Sequence, residues 1–168
     1  RVLGVIKAYP PRVGEGPFPT ELLDADGERL GKVGHEFGAT TGRARRCGWF
    51  DAVVARYGVL LNGVDALVLT KVDVLDGFNT IKVCTGYKYK GKIFPDMPAD
   101  PEVIANCDPV YVEFDGWSES TLGIQDYDKL PQNAKNYIDR LSELVETPFM
   151  MISTGPDREQ TIQRESLF

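Results

Sequence analysis

The sequence has few of the residues from which disulfide frameworks and metal sites are built. Its 168 residues include three cysteines and a single histidine. Cys47, Cys84 and Cys107 are odd in number, and their positions do not match the spacing of a zinc site. The aspartates between Asp73 and Asp108 do not follow the spacing of a calcium loop. We therefore expect reduced, structural thiols and no metal site in this chain.

An excess of positive charge and long apolar runs are lacking as well. Lys and Arg number 19 against 25 Asp and Glu, which gives a formal net charge of -6. This balance argues against a nucleic-acid coat or a protein that binds anionic membranes. No apolar run approaches the roughly 20 residues of a spanning helix, and no secretory leader is visible. We expect a cytoplasmic protein with no nucleic-acid and no membrane partner, in which any anion site is a local basic cluster.

Strands and helices are predicted to interleave along the chain. It starts on Arg1 and an apolar run without an initiating Met, which suggests that it was cut from something larger. Apolar patterning predicts strands at 2–9, 65–70, 80–90, 110–114 and 149–152. Helices are predicted from Trp49 to a stop at Asn62-Gly63, over 131–146, and as a short helix starting at Thr20, with a loop at 31–48. The pattern predicts one mixed α/β (α+β) domain over 1–168, with a mixed sheet flanked by helices.

A Lys-x-Asp sequence follows the strand predicted at 65–70. A carboxylate such as that of Asp73 can accept two hydrogen bonds side by side, which matches the N1–H and 2-amino donors of guanine. The aliphatic stem of Lys71 can lie along a purine face while its ammonium group stays in water. Taken alone the pattern is weak, since a surface charge cluster after a strand is the common alternative.

A second polar segment follows the last predicted strand. Ser153-Thr154-Gly155-Pro156 presents hydroxyls and backbone N–H groups where ligands of open α/β sheets bind, so it could hold the other side of a planar base. A plain turn built from standard turn-forming residues is the alternative.

The third segment is a basic, glycine-rich loop at 38–46. Arg43 and Arg45 would project to opposite sides of an extended loop, and the planar fork of arginine suits bidentate binding of carboxylate or phosphate. Thr40 and Thr41 supply hydroxyls that could orient such a ligand. A solvated basic loop and a nucleic-acid contact are the alternatives. The one histidine, His35, precedes this loop; it is either a catalytic base or, more commonly for a lone histidine, a packing residue.

The wording and order of these segments resemble the adenylosuccinate synthetase family over nearly the whole chain. The matching stretches are RVGEGPFPTEL at 12–22, GHEFGATTGRARRCGWFD at 34–51, LTKVDVLDGFNTIKVC at 69–84, GWSEST at 116–121 and STGPDR at 153–158. The resemblance implies the C-terminal part of a larger GTP-dependent synthetase with a P-loop-like fold. Such an enzyme uses GTP to activate the 6-oxygen of IMP and then joins L-aspartate to give adenylosuccinate, in purine biosynthesis.

The resemblance also implies roles for individual residues. The aspartate-binding loop would consist of Ala39, Thr40, Thr41, Gly42, Arg43, Ala44 and Arg45. Arg43 would also contact IMP, as would Val13 and Gly14 near the ribose. Arg45 would also reach GTP, whose guanine pocket would be formed by Lys71, Val72, Asp73, Ser153, Thr154 and Gly155.

Other parts of the family pattern have no counterpart here. The phosphate loop, the catalytic aspartate and histidine, and the ligands of the cofactor Mg²⁺ are expected in an N-terminal portion, which would be a partner of this chain. The resemblance implies a homodimer when the enzyme is intact. The chain alone is expected to be inactive, and a stand-alone nucleotide or dicarboxylate-binding module is the alternative.

Overall fold

The computed structural model of the protein describes residues 1–164, so the last four residues of the predicted domain lie outside the described part. The helices are α1 (Ala25–Val33), α2 (Ala52–Asn62), α3 (Pro101–Asn106) and α4 (Gln132–Val145). The strands are β1 (Leu3–Lys7), β2 (Pro11–Arg12), β3 (Arg46–Cys47), β4 (Phe50–Asp51), β5 (Ala66–Thr70), β6 (Thr80–Tyr89), β7 (Lys92–Phe94), β8 (Asp108–Asp115), β9 (Phe149–Ser153) and β10 (Thr161–Gln163). Together they form a mixed α/β fold with sheets and flanking helices, as predicted.

The described chain divides into two compact units. The sheet unit comprises residues 1–8, 54–81 and 113–168, described to 164. Its sheet has the order β1-β5-β9-β10, with β5 parallel to both neighbours and β10 antiparallel to β9. Strands β5 and β9 read as near-continuous apolar runs and are largely buried, because parallel strands inside an α/β sheet are covered on both faces.

The hairpin unit comprises residues 9–53 and 82–112. It contains helix α1, the short antiparallel pair β2-β3 and a sheet in which β6 pairs with β4, β7 and β8. A small core surrounds Val53, Cys84 and Tyr87. The Tyr87 hydroxyl donates to Asp51 Oδ2 at 2.6 Å, and burial raises the pKa of the Cys84 thiol to about 12. The buried cysteine is therefore an inert packing residue, as expected from the sequence.

The predicted major elements are confirmed, although the helix predicted from Trp49 begins only at Ala52, after strand β4. The largest difference from the prediction lies between residues 20 and 48. No helix starts at Thr20; the helix starts at Ala25, after Asp24 accepts hydrogen bonds from the backbone N–H groups of Asp26 and Gly27. Such a cap satisfies donors that a helix start leaves free. Helix α1 then occupies the first residues of the loop predicted at 31–48, and β3 occupies its end.

Leu69 lies at the centre of the sheet unit and provides a test of its core. Its side chain is fully buried on β5, the strand between β1 and β9. We expect Leu69→Ala to lower the free energy of unfolding by about 3 kcal/mol, because it removes buried methyl groups and leaves a cavity. Urea denaturation measures this. Leu23→Ala is the matched control, since Leu23 is 91% exposed; a loss below about 1 kcal/mol at Leu69 would contradict its central position.

Candidate functional site

Two polar segments in the sheet unit follow neighbouring parallel strands. Lys71–Asp73 comes directly after β5, and Ser153–Gly155 begins at the last residue of β9. The register pairs Leu69 with Ile152, so both strands end at the same edge of the sheet. Ligands of open α/β sheets bind outside the carboxyl ends of the strands. The structure thus brings together the two segments in which the sequence analysis placed a base-binding site.

The chain turns sharply between β5 and its polar segment. Lys71 has a φ of 63°, in the left-handed region, and starts a 3-10 helix at Val72–Leu75. This conformation is uncommon for a residue other than glycine and costs free energy that the surrounding fold must offset. Val72 is buried, whereas Lys71 and Asp73 are half-buried. Burial of Val72 therefore holds the turn in place, while the charged side chains of Lys71 and Asp73 stay partly accessible.

The ionised form of the Asp73 carboxyl group is less favourable in the protein than in water. Burial raises its pKa, and the nearby carboxylate of Asp76 raises it further, while a backbone hydrogen bond and Lys71 act in the opposite direction. A ligand that donates hydrogen bonds to the carboxylate would lower this pKa again. Asp73 is thus suited to gain more from two ligand donors than a fully hydrated surface aspartate would.

Asp76 fixes a third segment at this edge, which the sequence analysis did not assign to the site. Its Oδ1 accepts from Trp117 Nε1 at 2.6 Å and from Thr121 Oγ1 at 2.8 Å, and its Oδ2 accepts from the Thr121 backbone N–H at 2.7 Å. The Gly77 N–H also donates to the Trp117 carbonyl oxygen at 2.7 Å. The GWSEST stretch, known only as a part of the resemblance, is therefore held against the turn that carries Asp73.

The Ser-Thr-Gly turn after β9 is held by hydrogen bonds to the residues that follow the GWSEST stretch. Thr154 Oγ1 donates to the Ile124 carbonyl oxygen at 2.8 Å, and the Gly123 N–H donates to the Thr154 carbonyl oxygen at 3.1 Å. A Cβ on Gly155 would lie 2.1 Å from Gln160 Oε1, so no larger residue fits without a shift. Ser153 Oγ donates to the Gly155 carbonyl oxygen at 2.9 Å. The hydroxyls of both residues serve the turn, which gives it a fixed shape.

The basic loop in the hairpin unit is a tight hairpin. Phe37 and Ala44 form an antiparallel bridge, and the Gly38 N–H donates to the Arg43 carbonyl oxygen at 2.9 Å. Gly42 has a φ of 64°, which favours glycine, and its N–H returns to the Gly38 carbonyl oxygen. The residues from Ala39 to Ala44 are exposed. Most of the predicted anion-binding residues are therefore gathered on one accessible tip.

The three arginines of this segment have different surroundings. Arg43 is exposed, and its backbone N–H donates to Thr41 Oγ1 at 3.3 Å. Arg45 Nη1 donates to Glu36 at 2.8 Å. Arg46 makes a bidentate ion pair with Glu21, and these hydrogen bonds lower the pKa of the Glu21 carboxyl. Two of the three charges are thus neutralised inside the protein, which weakens the alternative of a nucleic-acid contact.

Val13 and Gly14 lie beside the base of the same hairpin. They follow β2, which pairs with β3, and the Gly14 carbonyl oxygen accepts from Arg46 Nη1 at 3.1 Å. Val13 is exposed. His35 is also exposed, with a φ of 51°, and follows Gly34, the residue that caps the end of α1. The predicted GTP-binding residues belong to both units: Arg45 is part of the hairpin unit, whereas Lys71 and Asp73 are part of the sheet unit.

Residues 1–164 contain no group of three or more His, Cys, Asp or Glu side chains placed to hold a metal ion. Within the same residues, no helix has both the length and the apolar character needed to cross a membrane.

Comparison with known proteins gives this arrangement a family. The model of the adenylosuccinate synthetase family matches residues 1–162. The chain belongs to the adenylosuccinate synthetase family. It is 56% identical over 161 residues to an adenylosuccinate synthetase of Geobacter sulfurreducens, covering 96% of this chain and 37% of that protein. It is 54% identical over 168 residues to one of Desulforamulus reducens, covering 100% of this chain and 39% of that protein.

A solved structure agrees with the fold. The structure of fully ligated adenylosuccinate synthetase from Plasmodium falciparum superimposes with a TM-score of 0.92 at 40% sequence identity. The match covers 98% of this chain and 40% of that structure. The chain therefore spans about two fifths of the length of these adenylosuccinate synthetases.

Proposed function

We propose that this chain is the C-terminal part of a GTP-dependent ligase that forms adenylosuccinate from IMP and L-aspartate. GTP would phosphorylate the 6-oxygen of IMP, and the amine of aspartate would displace phosphate, leaving GDP and phosphate. The chain would act as one functional domain over 1–168 that recognises guanine and aspartate. The observation that carries this proposal is the placement of Asp73 and the Ser153–Gly155 turn at one sheet edge, in a chain of this family.

The guanine base would lie between charged side chains on one side and backbone groups on the other. The Asp73 carboxylate would accept from guanine N1–H and the 2-amino group, and the Lys71 stem would cover the purine face. Val72 would support the turn. Opposite them, the turn formed by Ser153, Thr154 and Gly155 would offer backbone groups, since its hydroxyls are engaged within the protein.

The hairpin tip would bind L-aspartate. Arg43 would form a bidentate pair with one carboxylate and also contact IMP, and Arg45 would reach aspartate and the GTP side. Ala39, Thr40, Thr41, Gly42 and Ala44 would shape the loop and offer backbone donors and two hydroxyls. Val13 and Gly14 would lie near the IMP ribose.

The chemical step would require further groups, which we place outside this chain. The family's activity implies Mg²⁺, but residues 1–164 contain no cluster fit to hold it. We propose that the Mg²⁺ ligands, the catalytic aspartate and histidine and the phosphate loop belong to an N-terminal portion of the same cytoplasmic enzyme, which would be a homodimer. Positioning and metal electrostatics dominate phosphoryl transfer, so the recognition residues alone would give no turnover.

The surface of the sheet unit exposes large apolar side chains, which supports an N-terminal partner. Val5 on the edge strand β1 is 72% exposed, and Leu60 on α2 is 75% exposed. Such residues lower the free energy of a complex when another segment covers them. Because the relatives are more than twice as long as this chain, we propose that their additional segment covers this surface.

Activity assays test whether the catalytic groups lie outside this chain. With IMP, GTP, L-aspartate and Mg²⁺, the full-length enzyme is expected to form adenylosuccinate, and the 168-residue chain to form none. Turnover by the chain alone would contradict the placement of the catalytic groups outside it. The alternative of a stand-alone binding module predicts submicromolar binding of GTP or aspartate by the isolated chain in calorimetry. The nucleic-acid alternative instead predicts affinity that falls steeply with salt.

The pH dependence of nucleotide binding tests the role of Asp73. Its pKa is raised in the free protein and would be lowered by the two guanine donors, so binding favours the ionised form. We expect GTP affinity to be constant at neutral pH and to weaken as pH falls through the raised pKa, by up to tenfold per pH unit. Calorimetry on the full-length enzyme measures this. Inosine triphosphate, which lacks the 2-amino donor, is expected to show a shallower dependence; identical profiles would contradict the pairing.

A further inference from the structure

A buried carboxylate lies at the base of the basic hairpin. Glu36 is 1% exposed, immediately before the residue that bridges to Ala44. Its carbonyl oxygen accepts from the Arg45 N–H at 2.9 Å, so the backbone closes the hairpin at this pair. An ionised group at this depth is costly to the fold unless it is paired and hydrogen-bonded. The presence of Glu36 here therefore needs an account beyond packing.

Each oxygen of this carboxylate has its own donor. Oε2 accepts from Arg45 Nη1 at 2.8 Å, and Oε1 accepts from the Tyr9 hydroxyl at 2.8 Å. Tyr9 is itself fully buried. Its hydroxyl fits only because residue 34 is glycine: a Cβ there would lie 1.9 Å from the Tyr9 oxygen. The carboxylate is thus held in one orientation, with the oxygen that faces Arg45 fixed.

The pairing determines what Arg45 can do. One nitrogen of its guanidinium is tied to Glu36, and its Nε is buried without a hydrogen-bond partner in the described chain. The side chain remains 32% exposed, so it is still partly accessible to a ligand. Holding a recognition group in place before binding reduces the entropy that binding must overcome. Arg45 is therefore oriented but neutralised, whereas exposed Arg43 contributes the attraction of an unneutralised charge.

We propose that Glu36 is a positioning residue that orients Arg45 for a carboxylate ligand at the hairpin tip. Tyr9 supports it by fixing the other carboxylate oxygen. The inference rests on the proposed function, in which this ligand is L-aspartate. It assigns the affinity of the loop to a pair of residues, Glu36 and Arg45, of which only the arginine would touch the ligand.

A double-mutant cycle in the full-length enzyme tests the inference. Arg45→Leu is expected to raise the KM for L-aspartate about 100-fold, and Glu36→Gln about 10-fold with kcat changed less than about twofold, since charge-assisted hydrogen bonds have these magnitudes. In the Arg45→Leu background, Glu36→Gln should cause no further rise. A purely structural role would instead lower the folded fraction, and kcat with it, in both backgrounds. Glu36→Asp, which keeps the charge, should restore part of the affinity.

Two further variants make the outcome decisive. Glu28→Gln removes a carboxylate from an exposed ion pair with Lys32 and should change nothing. Tyr9→Phe should raise the aspartate KM about threefold, again only when Arg45 is present, and replaces Glu36→Gln if that variant fails to fold. An unchanged KM in Glu36→Gln, or equal effects in both backgrounds, would overturn the inference. An unchanged KM in Arg45→Leu would instead overturn the aspartate site itself.

Discussion

Asp73→Asn in the full-length enzyme is expected to lower kcat/KM for GTP by two to three orders of magnitude. The substitution keeps the size of the side chain but replaces one acceptor oxygen with a donor, which would face the 2-amino donor of guanine. Truncating one partner of a hydrogen-bonded pair that involves a charge costs about 2–5 kcal/mol. Steady-state kinetics with varied GTP and saturating IMP and aspartate measure the loss. The KM for aspartate should not change.

A change of base specificity should accompany this loss. Xanthine has the same N1–H donor as guanine but a 2-oxo acceptor in place of the amino group, so it complements an asparagine at residue 73. Xanthosine triphosphate is therefore expected to be the better substrate of Asp73→Asn and the poorer substrate of the unaltered enzyme. Asp128→Asn, at an exposed residue of the same unit, is the control. Unchanged selectivity in Asp73→Asn would remove this residue from the base pocket.

The elements of the sheet unit could be predicted from sequence where they have a clear apolar pattern. Strands β5 and β9 and helix α4 have apolar patterns that sequence alone reveals. The ends of the two strands place Asp73 and the Ser153 turn at the same edge of the sheet. Helix α1 was misplaced because Gly27 and Gly31 reduce its helix propensity. The structure explains why residue 27 is a glycine: a Cβ there would lie 2.2 Å from the Leu22 carbonyl oxygen. Close packing outweighs propensity at this residue.

The supporting residues of the candidate site could not be predicted in the same way. Glu36 and Tyr9 are 27 positions apart, and Asp76 is 45 positions from Thr121. Neither pair shows a local pattern, since hydrogen bonds over such separations depend on the completed fold. The resemblance identified the stretches that contain Glu36 and Thr121, but not what these residues contact. Candidate ligand contacts were therefore accessible from sequence, and the residues that orient them only from the structure.

Arg43→Ala should separate ligand binding from stability more cleanly than any other change in the hairpin. We expect the KM for L-aspartate to rise about 100-fold, because a bidentate charge-assisted pair is lost. The free energy of unfolding should change by less than about 0.5 kcal/mol, because the Arg43 side chain is exposed. Arg46→Ala is the converse: it breaks the pair with Glu21 and the bonds to Gly14 and Gly16, so it should mainly destabilise the fold.

The carboxylate that Arg43 binds can be identified by pairing the variant with an altered substrate. L-asparagine lacks the charged side-chain carboxylate, so its kcat/KM should be far below that of L-aspartate in the unaltered enzyme. If Arg43 binds that group, the ratio between the two substrates should shrink about 100-fold in Arg43→Ala. If Arg43 binds the α-carboxylate, the ratio stays constant while both values fall. If the aspartate KM itself is unchanged, the exposed hairpin tip is not the aspartate site, and the basic charge of Arg43 has another use.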